Sequence, residues 1–384
     1  MSVLNALSIS RRPAIAFVVI GLFWGCFAAY VPVIKDQLGA SDALFGTLLL
    51  GSATGLVSSM WLAPWADRRL GARGLQVGVV LLSLAWLLPA QTTVPLMFAA
   101  MMGLVGLCSG LLDVSMNARV SELEAQHARP LMNANHAMFS LGYAAAALMA
   151  GVTREAGLPP APVFAGLAVL CILLVPFIRV DVADVPAQEG YSGRYPLWPI
   201  LLCGGIALVA FMSEATVEAW SALHLERTLG GGAAEGALGP AMLGLTMAFG
   251  RFSGQVVAER FREVAVVIVA SLLSTSGAVI AALAPTPMVA YLGFGILGLG
   301  VSVIGPMGLA LVGNLVAPHL RTEAISRVAV IGFSGFFFAP TLMGLVSEYF
   351  GLRVAFGGVA MLLLVAVPLA LLVARQPRAA SQKP

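Results

Sequence analysis

The chain has 384 residues, of which 59% are hydrophobic and only 10% are charged, whereas soluble globular domains carry roughly 25% charged residues. This deficit excludes an ordinary water-soluble protein and predicts an all-α polytopic membrane protein. The net charge of +3 comes from basic residues scattered singly along the chain, which argues against a nucleic-acid-binding surface.

Apolar stretches of the length that crosses a bilayer, about 20 residues, follow one another along the chain. The first is too long for the core of a signal peptide and is predicted to be a retained span. The stretches are continuously apolar, without the period-two alternation of a transmembrane β-barrel. The sequence therefore predicts twelve transmembrane helices, at 13–34, 44–66, 74–92, 95–119, 131–153, 160–179, 197–222, 237–258, 264–284, 287–313, 324–347 and 352–374.

The distribution of Lys and Arg over the connecting segments predicts the orientation. If the N-terminus is cytoplasmic, only Lys35, Arg154, Arg227 and Arg353 lie outside, and Arg251 and Arg327 lie within spans. The cytoplasmic set is much larger: Arg11, Arg12, Arg68, Arg69, Arg73, Arg119, Arg129, Arg179, Arg194, Arg260, Arg262, Arg321, Arg375, Arg378 and Lys383. We therefore expect both termini in the cytoplasm.

The most charged linker, "RVDVADVPAQEGYSGRYP", lies near the middle of the chain. Segments separated by roughly 192 residues correspond on its two sides. "ADRRLG" aligns with "AERFRE", "DQLG" with "RTLG", and Glu155 with Glu348. The sequence thus predicts two pseudo-symmetric six-helix halves, residues 1–180 and 197–384, joined by a cytoplasmic loop at 181–196.

Aromatic side chains of the first span, Trp24, Phe27 and Tyr30, share one helical face. They are candidates for lining a substrate cavity, as is Phe336 in the eleventh span. Packing between helices explains such stripes equally well, so both interpretations stay open.

The fourth span carries an acid, Asp113, with Asn117 one turn later. The fifth span opens with Asn135 and His136, and His136 enters to a similar depth, so Asp113 and His136 are placed to meet across the helix pair. These residues form either a substrate-facing or proton-linked cluster, or a static hydrogen-bond network between helices.

Two glutamates, Glu214 and Glu218, lie four residues apart in the seventh span and therefore on one helical face. An ionised carboxylate at mid-bilayer costs on the order of 3 kcal/mol, and two of them repel each other. We expect the pair to be protonated part of the time and so to be candidates for coupling transport to protons. Glu218 has an alternative role, reaching towards the outer interface beside Trp220, which is also a substrate-binding candidate.

The loop "APWADRRLGAR" resembles the signature between the second and third helices of the major facilitator superfamily, with Asp67, Arg68, Gly71 and Arg73 matching and Ala63 in place of the leading glycine. The second half keeps only Glu259 and Arg260 of this pattern. The resemblance implies a latch that stabilises the outward-open state. Further segments, "LLDVSMNARV", "NANHAMFSLG" and "SEATVEAWSALHL", are similar to a bacterial subgroup related to fucose-permease-like porters.

Two departures from the superfamily pattern weaken the interpretation as a drug/proton antiporter. The fourth span has Met102 where many proton-coupled members carry an arginine, and the fifth span lacks the proline of drug/proton antiporters. Motifs of zinc proteases, phosphate-binding loops and serine hydrolases do not occur. We therefore expect no enzyme, no metal and no cofactor beyond a proton gradient.

The sequence as a whole predicts a monomeric secondary transporter of the bacterial inner membrane. It would move a small polar or amphipathic solute by alternating access, with coupling to protons. The alternatives are efflux of drugs or amphipaths by proton antiport, and a membrane sensor or scaffold that binds its ligand without transporting it.

Overall fold

The computed structural model describes residues 3–180, 197–317 and 320–376, apart from the side chains of residues 255–259 and 322. These segments form helices joined by short turns: α1 (Val3–Ile9), α2 (Arg11–Gln37), α3 (Asp42–Leu48), α4 (Leu50–Leu70), α5 (Gly74–Ala85), α6 (Pro95–His127), α7 (Met132–Glu155), α8 (Pro160–Leu174), α9 (Leu197–Leu223), α10 (Ala233–Arg260), α11 (Glu263–Leu283), α12 (Pro287–Leu315) and α13 (Arg321–Ala374).

Proline and glycine fix several of the helix ends. Pro95, Pro160 and Pro287 each occupy the first position of a helix, where the missing amide hydrogen is no loss and the fixed φ suits the helix. Gly351 has φ 79° and ψ 164°, which interrupts α13 and separates two crossings. A side chain would be strained at that φ, so the glycine defines the turn.

Within the described ranges, nine segments are long and apolar enough to span a membrane. Two of them, 42–91 and 323–374, contain 50 and 52 residues, about twice what one crossing needs, so each makes two crossings. Helix α10 adds another crossing, and its 28 residues rise about 42 Å. The described residues therefore confirm an all-α fold with twelve crossings, whereas the boundary at 181–196 lies outside them.

Several helix ends differ from the sequence-based limits. The fourth crossing continues to His127 rather than ending at residue 119, so Arg119 lies within a helix. The seventh continues beyond residue 222 into a π-helical turn, His224–Thr228. Polar residues near the ends of helices obscured these limits, because an extension beyond the bilayer is not apolar.

Helices approach closely where small residues allow it. A Cβ atom at Gly25 of α2 would lie 2.0 Å from the carbonyl oxygen of Tyr143 on α7, so only glycine fits this crossing. The predicted halves meet along several helix pairs, α2 with α9 and α10 among them, and the two most extensive are α7 with α10 and α3 with α13. These two contacts correspond to each other in the repeat and flank the centre of the bundle.

Candidate functional site

Arg251 lies in the middle of α10 and connects three helices. Its Nη2 donates to Oε1 of Glu214 on α9 at 3.1 Å, and its Nη1 donates to Oγ of Ser140 on α7 at 2.5 Å. Nη1 also reaches the carbonyl oxygen of His136 at 3.3 Å, and the guanidinium lies 6.0 Å from the ring centroid of Phe139. Since α7 belongs to the first predicted half and α10 to the second, Arg251 bridges the two halves.

The ion pair between Arg251 and Glu214 is buried, with side-chain exposures of 11% and 8%. Such a pair is held by its charges and hydrogen bonds, and removing one partner leaves an uncompensated charge. Sequence reasoning noted Arg251 only as a charge within a span and missed its role. The signal was present, because an intramembrane arginine needs an anionic partner and Glu214 was already a candidate.

Glu218 lies one turn beyond Glu214 and is half-buried. Among the described residues it accepts no hydrogen bond, whereas Glu214 has the arginine. The buried hydroxyl of Tyr143 likewise has no described hydrogen-bond partner, and it lies within electrostatic range of both glutamates. One guanidinium therefore faces two carboxylates, and it balances the charge of only one.

The structure does not bring Asp113 and His136 together. Asp113 Oδ1 accepts a hydrogen bond from Asn117 Nδ2 at 3.0 Å, on its own helix. The ring of His136 packs edge-on against Phe17 with centroids 5.0 Å apart. No hydrogen bond joins Asp113 and His136 in the described set, so the expected meeting of this pair is wrong.

Asn135 is fully buried and ties two helices together. Its Nδ2 donates to Oγ of Ser10 at 2.9 Å and to the carbonyl oxygen of Leu131 at 2.8 Å. These contacts place Asn135 in the packing between α7 and the residue that precedes α2, and they use both hydrogens of its amide group.

The aromatic residues of α2 pack around a tryptophan of α5. Trp24 and Phe27 lie 5.2 and 5.4 Å from Trp86, ring centroid to ring centroid. Phe27 and Tyr30 are buried, and Tyr30 donates its hydroxyl hydrogen to Leu158 O at 3.0 Å. Trp24 alone of the three candidates retains partial exposure, so it stays the candidate of the three for lining a cavity.

The aromatic candidates of the second half also differ in their exposure. Trp220 is fully buried and meets Phe45 of α3 edge-on at 6.1 Å, so it does not serve as an interfacial anchor for Glu218. Phe336 is half-buried and stacks with Phe211 at 5.5 Å, and Phe333 lies beside both. These three rings form an aromatic wall on α9 and α13.

At the end of the bundle assigned to the cytoplasm, Asp67 accepts a hydrogen bond from Arg119 of α6, which also binds Glu122 at 2.7 Å. Arg68 and Arg73 are exposed, and Gly71 has φ 48° at the end of α4. Arg260 is exposed at the end of α10, whereas the side chain of Glu259 lies outside the described residues. Asp67 is thus paired within its own half.

The opposite end is closed by an ionic network that sequence reasoning missed. Asp42, only 4% exposed, lies at the start of α3 and binds Lys35 Nζ at 3.1 Å through Oδ1. Arg227 donates to both its carboxylate oxygens, and Ser347 of α13 donates to Oδ2. We call Lys35, Asp42, Arg227 and Ser347 the outer network; it joins both predicted halves.

A second ion pair crosses between the halves at this end. Arg154 of α7 donates to both carboxylate oxygens of Glu226 at 2.7 and 2.8 Å. Among residues with described side chains, the ion pairs of the cytoplasmic end stay within one half, as for Asp67–Arg119 and Glu323–Arg327. The structure therefore represents a state in which the outer end is closed.

The described residues contain no cluster of three or more His, Cys, Asp or Glu side chains with metal-binding spacing. The four cysteines are buried and unpaired.

Known proteins resemble this chain along most of its length. An MFS-type transporter of Yersinia pestis is 28% identical over 91% of this chain and 92% of its own, and membrane protein MosC of Rhizobium meliloti is 26% identical over 92% and 86%. Neither name specifies a sugar porter, so the narrower subgroup stays a prediction.

Solved structures share the fold at low sequence identity. A bacterial homologue of the human lysosomal transporter Spinster, inward-facing, aligns with TM-score 0.76 and 16% identity over 96% of this chain and 97% of its own. The xylose transporter XylE of E. coli, inward open, gives TM-score 0.76 and 14% identity over 98% of both chains.

The sequence profile of the Major Facilitator Superfamily matches residues 14–256 and 202–384, which together cover nearly the whole chain. The relatives named above are transporters and membrane proteins rather than enzymes. The twelve crossings, the two corresponding contacts between halves and this match together show that the chain belongs to the Major Facilitator Superfamily.

Proposed function

We propose that the protein is a monomeric secondary active transporter of the bacterial inner membrane, with both termini in the cytoplasm. It moves a small polar or amphipathic solute by alternating access and uses the proton gradient rather than ATP. The observation that supports this most directly is the buried Arg251–Glu214 ion pair, which links α9, α10 and α7 at mid-membrane.

Protonation of Glu214 couples the proton gradient to the contact between the two halves. When Glu214 is ionised, it holds Arg251 in the position from which Arg251 donates to Ser140 of the other half. Protonation removes this charge attraction, and the charge of Arg251 is then balanced by Glu218 rather than by its hydrogen-bond partner Glu214. The contact between α7 and α10 then weakens at mid-membrane, which favours a different arrangement of the halves.

The second glutamate, Glu218, determines the net charge of the central group. With both glutamates ionised, the group of Glu214, Glu218 and Arg251 carries one net negative charge, and one proton neutralises it. A neutral group costs less free energy than a charged one in the low-dielectric centre of the bundle, so the neutral form favours the closed intermediate through which the halves change their arrangement. We therefore assign the transported proton to the glutamate pair, with Glu214 transmitting its charge state to Arg251.

The solute is bound between the halves, beside Arg251 and the aromatic wall. Phe211, Phe333 and Phe336 supply apolar surface, and the charged centre supplies hydrogen bonds, which suits a solute with polar and apolar parts. The same aromatic wall is the observation that favours the second candidate, export of an amphipathic compound.

The test begins with a thermal-shift screen of the purified protein against sugars, organic acids, amino acids and common drugs. A compound that raises the melting temperature is then used in proteoliposomes. We expect counterflow exchange of that compound and accumulation under a pH gradient. Binding without counterflow would identify a sensor or scaffold, and accumulation that ignores the pH gradient would refute proton coupling.

The glutamates are tested with the same compound. Glu214→Gln imitates the protonated side chain at nearly the same shape, so the variant should fold, bind and exchange the solute but fail to accumulate it under a pH gradient. Glu235→Gln, which changes the same chemical group at the exposed outer end of α10, where the carboxylate accepts a hydrogen bond only within its own half among the described contacts, serves as the control. Full gradient-driven accumulation by Glu214→Gln would assign the proton to Glu218 or Asp113 instead.

A further inference from the structure

Three arginines converge at the cytoplasmic end of the first half, away from the transport path. Arg11 and Arg12 lie in the first turn of α2, and Arg179 follows the turn that ends α8. Together with Ile15, Pro176 and Phe177 they line a recess of about 550 Å³, within the roughly 300–1,000 Å³ range of small-molecule sites. We call these six residues the arginine recess.

The charges of the arginine recess have no counter-charge among the residues that line it. None of the three guanidinium groups takes part in the described ion pairs, whereas Arg119 and Arg327 at the same end each bind a carboxylate. Two of the arginines also lie at the positive end of the α2 dipole, which adds to the repulsion. Because these three guanidinium groups repel one another, the recess favours the binding of an anion from outside the protein.

The apolar part of the arginine recess continues into the lipid-facing surface. Phe177 is 63% exposed, and on α8 above it Val169 and Leu173 are 60% and 66% exposed. A ligand that binds here therefore meets guanidinium groups at one end and a strip of apolar side chains along α8 at the other. Because α2 begins and α8 ends here, the recess lies at the level of the lipid headgroups of the cytoplasmic leaflet.

We propose that the arginine recess binds the phosphate of an anionic phospholipid, with the acyl chains lying along α8. A phosphate diester accepts hydrogen bonds from two or three guanidinium groups at once, and arginine suits this geometry better than lysine. Basic pockets between transmembrane helices on the cytoplasmic side are suited to such headgroups. A free phosphate offers the same acceptor oxygens to the guanidinium groups, but it has no acyl chains that contact the apolar side chains along α8.

The test uses the full-length protein in detergent, titrated with phosphatidylglycerol or phosphatidylcholine and followed by native mass spectrometry. We expect wild-type protein to retain phosphatidylglycerol in preference to phosphatidylcholine. Each arginine removed should weaken retention of the anionic lipid roughly fivefold, since a basic residue near the headgroups contributes about that factor. Arg179→Gln tests one arginine, and the triple variant R11Q/R12Q/R179Q tests all three.

The matched control is R129Q/R262Q/R375Q, which removes three exposed arginines from the same end of the bundle. It should keep the preference for phosphatidylglycerol. Equal losses in the two triple variants, or no preference in the wild type, would overturn the proposal. Displacement of phosphatidylglycerol by millimolar inorganic phosphate would also overturn it, because the recess would then be a site for free phosphate. If R11Q/R12Q/R179Q does not fold, Arg179→Gln alone decides the outcome.

Discussion

Glu155 and Glu348 occupy corresponding positions in the two halves, and each accepts a hydrogen bond from the backbone near the start of a helix in the opposite half. Glu348 Oε2 accepts from the amide of Asp42 at 2.7 Å, and Glu155 Oε2 accepts from the amide of Ala234 at 3.2 Å. Asp42 starts α3 and Ala234 lies in the first turn of α10, so the two contacts are related by the repeat. Two equivalent contacts therefore hold the halves together at the outer end, and in each a carboxylate binds the N-terminus of a helix.

The outer network predicts how the closed state is held. Asp42→Asn removes the charge that binds Lys35 and Arg227, and a loss of about 2 kcal/mol shifts a two-state equilibrium roughly 30-fold. We expect the outer ends of the halves to separate. Spin labels at Thr93→Cys and Met288→Cys, both exposed at that end, should show longer distances in double electron–electron resonance. The native cysteines are buried, which favours selective labelling.

Asp36→Asn is the matched control for the outer network. Asp36 is exposed at the same end and takes part in none of the described ion pairs. Its substitution should leave the distance distribution unchanged. If both variants give the wild-type distribution, the network does not hold the gate closed.

At the cytoplasmic end, Asp67→Asn should slow transport. The carboxylate is held by Arg119, which is only 3% exposed, and its loss changes the relative stability of the conformations by about 1–3 kcal/mol, or roughly 5–150-fold. Solute affinity in detergent should stay at the wild-type value, because Asp67 shares no described contact with Arg251 or with the groups that Arg251 binds. Rates of counterflow and binding isotherms, measured on one preparation, check this prediction. Loss of binding with an unaltered conformational distribution would contradict a latch role.

The orientation predicts the position of the C-terminus. A reporter fused after Pro384 that fluoresces only in the cytoplasm should fluoresce, while a periplasmic alkaline phosphatase fusion at the same point should be inactive. The reason is the excess of arginines at one end of the bundle. An active phosphatase fusion would place the C-terminus in the periplasm, which means either that the orientation is inverted or that the number of crossings is odd; an odd number would also refute the division into equal halves.

The sequence predicted the crossings well because each depends on a local property, the length of an apolar run. Glu214 was found for a similar reason, since a carboxylate in such a run is conspicuous by itself. Its partner Arg251 was visible as a charge but was not assigned, because the contact depends on how α9, α10 and α7 pack. Which intramembrane charges meet is a property of the bundle and cannot be read from helical periodicity.

Asp42 is a second residue whose partners could not be predicted from the sequence. In the sequence it precedes a predicted span and resembles an ordinary residue of an outer turn. Its burial depends on Lys35, Arg227 and Ser347, which are contributed by three separate parts of the chain. The repeat aligned "DQLG" with "RTLG", and so Asp36 with Arg227, but did not show that Lys35 and Arg227 both bind the carboxylate of Asp42.

The ion pair at the centre can be measured by a double-mutant cycle. Arg251→Gln leaves the buried carboxylate of Glu214 unpaired, which is expected to destabilise the protein by about 3–5 kcal/mol. The double variant E214Q/R251Q lacks both charges of the pair and leaves the group, with Glu218, at the same net charge as the wild type, so it should recover a large part of this loss. Unfolding in detergent, followed by intrinsic fluorescence, gives the free energies of the four proteins.

Glu323 and Arg327 provide the control cycle, because they form an ion pair of 2.9 Å with exposures of 36% and 48%. At that exposure the coupling energy is expected to be about 0–1 kcal/mol, against about 3 kcal/mol or more for the buried pair. Equal coupling in the two cycles would mean that water reaches Glu214 and screens it. The charge of Glu214 would then be too weakly felt by Arg251 to transmit a protonation event to α7, and the proposed coupling would fail at this step.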